Sequence, residues 1–237
     1  MDQVNRTPAA PFGTATVATA ERVTAFLRTV YGWMCAGLAI TALVAYSIAS
    51  SGMAQVLAAN HLLFLVLFVA QIGIVFYLSA RVDRIAPGTA TLLFIGYAAL
   101  TGVTLSVLVL AYTGASIATT FVVTAGMFGA LALYGTTTSR SLAGMGQFAF
   151  MGLIGLVLAS IVGFFWQSQA LQFLISVVGV IVFTGLTAWD AQKLKLMAAA
   201  LPEGQVGSYA IVGALSLYLD FINLFLFLLR FMGGRRD

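Results

Sequence analysis

Two aspartates lie in apolar stretches toward the C-terminal end of the chain. Asp190 is in TGLTAWDAQKLK, and Asp220 is in YAIVGALSLYLDFINLFLFLLRFM. A carboxylate in hydrocarbon costs about 3 kcal/mol or more, so such a group faces a protected interior and is a functional candidate by default. Two carboxyls that lie close together in a low-dielectric site cannot both ionise cheaply. They would therefore share a proton and titrate as a coupled pair.

The two aspartates have polar neighbours at helical spacing. Thr187 and Lys193 lie three residues before and after Asp190. Ser216 lies four residues before Asp220, and Asn223 lies three residues after it. At this spacing each neighbour shares a helix face with its aspartate. Two structural alternatives stay open. Asp190 could be an interfacial carboxylate paired with Lys193, and Asp220 could make only a structural contact with Asn223 or a neighbouring helix.

An acid pair of this kind would act as a proton-sensitive lock between two helices. While it shares a proton, Asp190 and Asp220 hold the helices together by a hydrogen bond. Once the proton is lost, the carboxylates repel each other and offer hard oxygen ligands, which suit Ca²⁺ better than soft metals. We therefore take both residues as candidate calcium ligands, with calcium as a transported ion. No cofactor is predicted.

The composition places the whole chain in a membrane. Hydrophobic residues make up 61% and charged residues 8% of the 237 residues, whereas soluble domains carry about 25% charged residues. Cys35 and His61 are the only residues of their types, which argues against disulfides and multi-His metal centres. A Gly-x-Ser-x-Gly elbow and a phosphate loop are also missing from the sequence, so we predict no enzyme. The basic residues indicate orientation and not nucleic-acid binding.

Seven apolar stretches are long enough to cross the hydrocarbon, which takes about 20 helical residues. We predict an all-α bundle formed by residues 26–232, between a flexible cytoplasmic tail at 1–25 and a short basic tail at 233–237. The seventh span has one polar stripe on an apolar helix and is expected at the centre of the bundle. The predicted spans are Leu27–Ser50, Leu57–Leu78, Gly88–Tyr112, Ala115–Tyr134, Met145–Trp166, Leu171–Leu194 and Tyr209–Met232.

The placement of basic residues predicts the orientation. The loops after spans one, three and five contain no Lys or Arg, whereas basic residues precede span one and accompany the ends of spans two, four and six. This alternation is typical of a cytoplasmic N-terminus. Arg235 and Arg236 would then lie outside if the seventh span crosses completely. We expect complete crossing because the span is long enough, with re-entry as the alternative.

Arg81 ends the second span in VFYLSARVDR. It is either an anchor at the membrane surface or a candidate gate latch, whose side chain reaches back along the bundle to pair with one of the carboxylates. In the same span, Gln71 is a polar group that needs a partner in the bundle.

The sequence resembles the bacterial branch of the Bax inhibitor-1 family, also called the transmembrane Bax inhibitor motif proteins. The likeness is carried by TGLTAWDAQKLK and GALSLYLDFINLFLFLLRFMG, and it extends through VYGWMCAGL and SIATTFVVTAGMFGA. The resemblance implies a seven-helix bundle whose seventh helix is enclosed by the other six. It also implies a pH-sensitive calcium leak governed by aspartates matching Asp190 and Asp220, with a closed state held by an arginine matching Arg81. Some family members carry an acid near the position of Gln71.

Three functions follow from these observations. The first is a passive, pH-gated cation leak in a bacterial inner membrane. The second is a regulatory protein that binds a membrane protease or a stress-response complex, because bacterial relatives are linked to membrane proteolysis and stress control. The third is a proton-coupled cation exchanger, which uphill transport would distinguish from a leak.

Overall fold

The fold is known from a computed structural model that describes residues 12–166, 168–202, 205–234 and 236. These residues form helices and no strand, and seven of the helices are long and apolar enough to cross a membrane. The predicted all-α membrane bundle is therefore confirmed. The helices are α1 (Phe12–Ser50), α2 (Met53–Ala59), α3 (His61–Arg81), α4 (Pro87–Ala111), α5 (Gly114–Thr137), α6 (Ala143–Phe165), α7 (Gln169–Ala200) and α8 (Val206–Met232).

The first helix begins earlier than the sequence predicted. A flexible tail was expected over residues 1–25, but α1 already begins at Phe12, and of that tail only residues 1–11 lie outside the described residues. Alanine, the strongest helix former, recurs through residues 15–25, and no proline lies between Pro11 and Ala25. The Arg22 guanidinium donates to the Leu201 carbonyl at 3.0 Å, and Phe26 is 3% exposed. These contacts attach the start of α1 to the bundle.

The second predicted span, Leu57–Leu78, is divided in the structure. The chain leaves α2 at Ala59 and begins α3 at His61. Asn60 lies at this break, and its side-chain oxygen accepts from the Leu63 N–H at 3.0 Å. Asparagine at this position satisfies a backbone donor that the first turn of a helix leaves free. The membrane-crossing helix therefore begins after Asn60.

The last helix is the central one, as predicted. In its most apolar stretch 72% of α8 is buried inside the protein, against 44% or less for the other six long helices. It packs against α1, α4, α5 and α7, and it also contacts α3. Its largest fully buried side chain is Tyr218. The seventh span is therefore held by protein on several sides.

Hydrogen bonds at both ends show that α8 runs through the whole bundle. At its start, the Ser208 hydroxyl donates to the Ile85 carbonyl at 2.7 Å, in the α3–α4 connection. Just beyond its end, the Gly234 N–H donates to the Ser116 hydroxyl at 2.9 Å, in the first turn of α5. We call the side of the bundle that contains Ser208 and the α3–α4 connection the N-terminal side. The side that contains Gly234 and the start of α5 is the C-terminal side. The last span thus runs from one side of the bundle to the other, which favours complete crossing over re-entry.

Topology reporters provide the first prediction. A reporter fused before Phe26 and one fused after Arg236 should report opposite sides of the membrane, because α8 ends on the side opposite to the start of α1. The positive-inside pattern predicts that the N-terminal reporter is cytoplasmic. Two reporters on the same side would contradict the complete crossing of α8.

Candidate functional site: two carboxyls between α7 and α8

Glycines bring α7 and α8 close together around the two aspartates. A Cβ atom at Gly213 would lie 2.6 Å from Cδ2 of Leu194, and one at Gly179 would lie 2.5 Å from Cγ of Phe227. Only glycine leaves room for such contacts, since a larger residue would force the neighbouring side chains to move. Leu194 follows Asp190 by one helical turn. The close packing therefore includes the segment of α7 that carries Asp190.

The structure brings Asp190 to the polar stripe of α8. The Ser216 hydroxyl donates a hydrogen bond to Oδ2 of Asp190, and Ser216 lies one turn before Asp220 on α8. Asp190 is half-buried, whereas Asp220 is 5% exposed. Asp190 is therefore attached to the stripe of α8 that also carries Asp220, and the pairing of the two acids stays a prediction.

One carboxylate oxygen at this site has no partner. Oδ2 of Asp220 is buried and accepts no hydrogen bond from any residue that the structure describes. A buried acceptor without a donor carries a desolvation cost of about 1–3 kcal/mol, and more for a charged group. A proton, a water molecule or a cation bound at this oxygen would remove that cost. Oδ2 of Asp220 is thus the atom of this site that such a group would stabilise.

Both acids lie well below the N-terminal surface. Asp190 precedes Ala200, the last residue of α7, by ten residues, and Asp220 follows Val206, the first of α8, by fourteen. At about 1.5 Å per residue these positions lie roughly 15 Å and 21 Å from the helix ends. The two depths differ by about one helical turn. Both positions are therefore well inside the helix bundle and away from the ends of α7 and α8.

The polar neighbours singled out by spacing divide into two groups. Ser216 contacts the acid pair directly, as described above. The Thr187 hydroxyl donates to the Phe183 carbonyl at 2.7 Å, and the Asn223 amide donates to the Leu219 carbonyl at 2.8 Å. Both of these bonds stay within the residue's own helix. Asn223 is therefore not the group that compensates Asp220.

Lys193 lies over the ring of Trp189. Its Nζ lies 5.2 Å from the centroid of the Trp189 ring, and the side chain is exposed. Among the described residues it forms no direct ion pair with Asp190. The alternative of an interfacial Asp190–Lys193 pair therefore lacks the contact on which it depends.

Arg81 is not brought to the acid pair. It is exposed at the end of α3, and no ion pair joins it to either aspartate within the part of the chain that the structure covers. The α3–α4 connection is instead attached to α8 by a hydrogen bond from the Tyr209 hydroxyl to Oδ1 of Asp83. The sequence offered no signal for this contact, because the two residues lie 126 positions apart.

Gln192 is a site neighbour that the sequence analysis missed. Its Oε1 accepts from the Leu142 N–H at 2.8 Å, and its Nε2 donates to the Arg140 carbonyl at 2.9 Å. Both bonds fix the α5–α6 connection against α7, two residues beyond Asp190. A side-chain amide that bonds only backbone groups of a distant loop leaves no periodic pattern in the sequence. Gln192 is only 8% exposed, and this burial results from tertiary packing that the sequence pattern does not indicate.

A second polar cluster holds the opposite face of α8. The hydroxyls of Thr41 and Tyr218 are 2.6 Å apart, and the Thr41 hydroxyl also lies 2.9 Å from the Ala98 carbonyl. Tyr218 is completely buried with the edges of two aromatic rings against it. In the neighbouring helices, the Gln71 amide donates to the Thr104 hydroxyl at 3.4 Å. Gln71 thus finds its partner on α4.

The acid pair is suited to a transient cation more than to a resident one. Calcium takes six to eight oxygen ligands, and Asp190, Asp220 and Ser216 supply only part of that number. The described residues contain no group of three or more His, Cys, Asp or Glu side chains that could hold a metal ion. The remaining ligands would be water molecules or backbone and hydroxyl oxygens. Such a shell allows an ion to leave as well as to enter.

These features define a class: multi-pass helical membrane proteins whose central helix carries a buried carboxylate and bonds a second acid on the preceding helix. Comparison with known proteins then gives the family. The profile described as inhibitor of apoptosis-promoting Bax1 matches residues 23–237. The chain belongs to this family, the Bax inhibitor-1 family, as the sequence motifs indicated.

Several bacterial proteins are similar to the chain over most of its length. The inner membrane protein YbhL of Escherichia coli (strain K12) is 51% identical over 215 residues, covering 89% of this chain and 92% of that protein. An uncharacterized protein of Deinococcus radiodurans is 45% identical over 221 residues, covering 92% and 94%. One from Borreliella burgdorferi is 44% identical over 215 residues, covering 90% and 93%. Together with the seven apolar helices, these relatives support a multi-pass inner membrane protein.

Proposed function

We propose that the chain is a passive, pH-sensitive leak channel for calcium or similar cations, gated by the proton shared between Asp190 and Asp220. One observation carries the proposal. Asp190 is held by Ser216 against the polar stripe of the central helix, where the buried Oδ2 of Asp220 lacks a partner. The site therefore combines two carboxyl groups, low solvent access and a buried acceptor without a hydrogen-bond donor, which are the elements of a proton switch.

The charge of the two carboxyls determines whether the channel is closed or open. With a shared proton the two carboxyls attract each other, and α8 stays packed on α7. Loss of that proton leaves two negative charges close together in a medium that screens them poorly. The repulsion pushes α7 and α8 apart, breaks the Ser216 hydrogen bond and exposes carboxylate oxygens to a cation. The leak should therefore increase as pH rises through the titration of the pair.

Flux measurements in liposomes test this function directly. The purified chain is reconstituted with a calcium indicator inside the vesicles, and downhill Ca²⁺ entry is followed across a series of pH values beside protein-free vesicles. We expect protein-dependent entry that rises with pH. Equal flux with and without protein would contradict a leak and favour the regulatory function, whereas uphill movement driven by a proton gradient would favour exchange.

Arg81→Ala distinguishes an anchor at the membrane surface from a gate latch. The exposed position of Arg81 favours an anchor at the membrane surface, so we expect the variant to keep the flux of the unchanged chain at every pH. If Arg81 is instead a latch, its loss removes one restraint on the carboxylates and raises the leak at the pH where the gate is closed. The measurement is liposome flux at the lowest pH of the series, where a latch has its largest effect.

A further inference from the structure

A groove separates α1 from α5 and reaches the central helix. Its volume is about 540 Å³. The α1 wall contains Tyr31, Cys35 and Leu38, the α5 wall contains Gly129 and Thr136, and Phe221 of α8 forms part of the lining. Most of these groups are apolar. The groove therefore offers a hydrocarbon-like surface that leads from the outside of the bundle to α8.

The groove opens on the apolar outer surface of the bundle. Large apolar side chains are exposed on both flanking helices, among them Leu43 on α1 and Val122 and Leu133 on α5, which are 65–70% exposed. Along α5 the lining extends from Phe121 to Thr136, or roughly 22 Å at about 1.5 Å per residue. Half of a hydrocarbon core of about 30 Å is roughly 15 Å. The groove is thus long enough for one acyl chain from a single leaflet.

Two basic side chains lie at the N-terminal end of the groove. Nζ of Lys195 donates to the Thr136 carbonyl at 2.6 Å, which places its charge beside a lining residue. Arg28 is exposed and precedes Tyr31 and Cys35 by three and seven residues, so it shares their stripe on α1. Each such cation near the surface strengthens binding of anionic lipid about fivefold, or roughly 30-fold together. The charge at this end is complementary to a phosphate headgroup.

We propose that the α1–α5 groove binds an anionic phospholipid from the leaflet on the N-terminal side. One acyl chain lies against Cys35, Gly129 and Phe221, and the phosphate lies between Arg28 and Lys195. Phe221 directly follows Asp220 on α8, so the bound chain contacts the central helix next to the acid pair. The site does not depend on whether the protein conducts ions, and lipid binding can be measured without flux.

Native mass spectrometry of the purified, delipidated chain tests the site. Phosphatidylglycerol and phosphatidylcholine with identical acyl chains are added in competition, and bound lipid is counted per protein. Gly129→Leu fills the groove, and a Cβ at Gly129 meets nothing within 4 Å, so the fold has room for the change. Gly155→Leu on α6 is the matched control, since Gly155 is exposed and equally free of contacts. Arg28→Gln combined with Lys195→Gln removes the two charges.

The expected result is one phosphatidylglycerol per chain, preferred roughly 30-fold over phosphatidylcholine. Gly129→Leu should lower its retention about tenfold or more while Gly155→Leu retains it, and the double charge variant should lose the headgroup preference. The charge variant tests the site independently if Gly129→Leu does not fold. Equal retention of both lipids, or undiminished retention in Gly129→Leu, would overturn the proposal. So would a lipid-free dimer that Gly129→Leu dissociates, which would assign the groove to a second copy of the chain.

Discussion

Replacement of Asp220 by asparagine is expected to abolish the steep pH response of the leak. Asparagine keeps the shape of the side chain and its hydrogen-bonding capacity, but it cannot carry the negative charge that repels Asp190. A titrating group can change a response about tenfold per pH unit. In Asp220→Asn the ratio of fluxes one pH unit apart should therefore fall toward one, and the gate should stay in its low-leak state. Liposome flux over the same pH series measures this ratio.

Asn223→Ala is the matched control for that change. Asn223 lies three residues after Asp220, but its amide bonds only the backbone of its own helix. Its removal should leave the pH dependence of flux intact. If Asp220→Asn keeps the full pH response while the protein stays folded, the titrating group lies elsewhere. If Asn223→Ala loses the response as well, the effect reports disturbance of α8 in general.

A leucine at Gly135 is expected to destabilise the bundle strongly. A Cβ at this position of α5 would overlap the backbone carbonyl oxygen of Ala188 on α7 and would lie 3.1 Å from the Ala191 Cβ. A backbone atom cannot move aside without shifting the helix, so the cost should reach the upper part of the overpacking range, about 3 kcal/mol or more. For a chain of this size that corresponds to a loss of roughly 6–12 °C in melting temperature. Thermal unfolding in detergent measures it.

Gly126→Leu on the same helix is the control for this packing prediction. Gly126 is exposed, and a Cβ there meets nothing within 4 Å. Its melting temperature should change by about 2 °C or less, as for surface substitutions. Equal stability of the two leucine variants would show that α5 does not pack on α7 as closely as the structure has it. Since Ala188 and Ala191 flank Asp190, that result would also remove the support behind the acid pair.

Much of the fold was predictable because membrane helices leave strong one-dimensional signals. Apolar length marks the crossing helices, and the polar stripe of α8, with Asp220 inside an apolar segment, predicts its central position. The break at Asn60 and the early start of α1 were not predictable in this way. A single capping side chain divides the second apolar stretch, and the contact of Arg22 with Leu201 joins segments 179 residues apart. Tertiary contacts of this kind leave no local pattern in the sequence from which they could be predicted.

The site was predictable in outline for the same reason. Charged groups are costly in lipid, so the two aspartates stood out, and consecutive antiparallel helices place them at similar depth. The details depend on tertiary contacts that no spacing reveals. Ser216 turned out to bond Asp190 across the helix interface and not to act within its own helix. Gln192 supports the site through a loop 50 residues away.

The central claim is that Asp190 and Asp220 act as one unit, and a double-mutant cycle of liposome flux tests it most directly. Calcium entry is measured at several pH values for the unchanged chain, Asp190→Asn, Asp220→Asn and the double variant, each checked for folding and reconstitution. A shared proton is lost when either partner is removed, so each single variant should lose the pH response and the double variant should resemble the singles. Independent, additive effects of the two substitutions would contradict the pair.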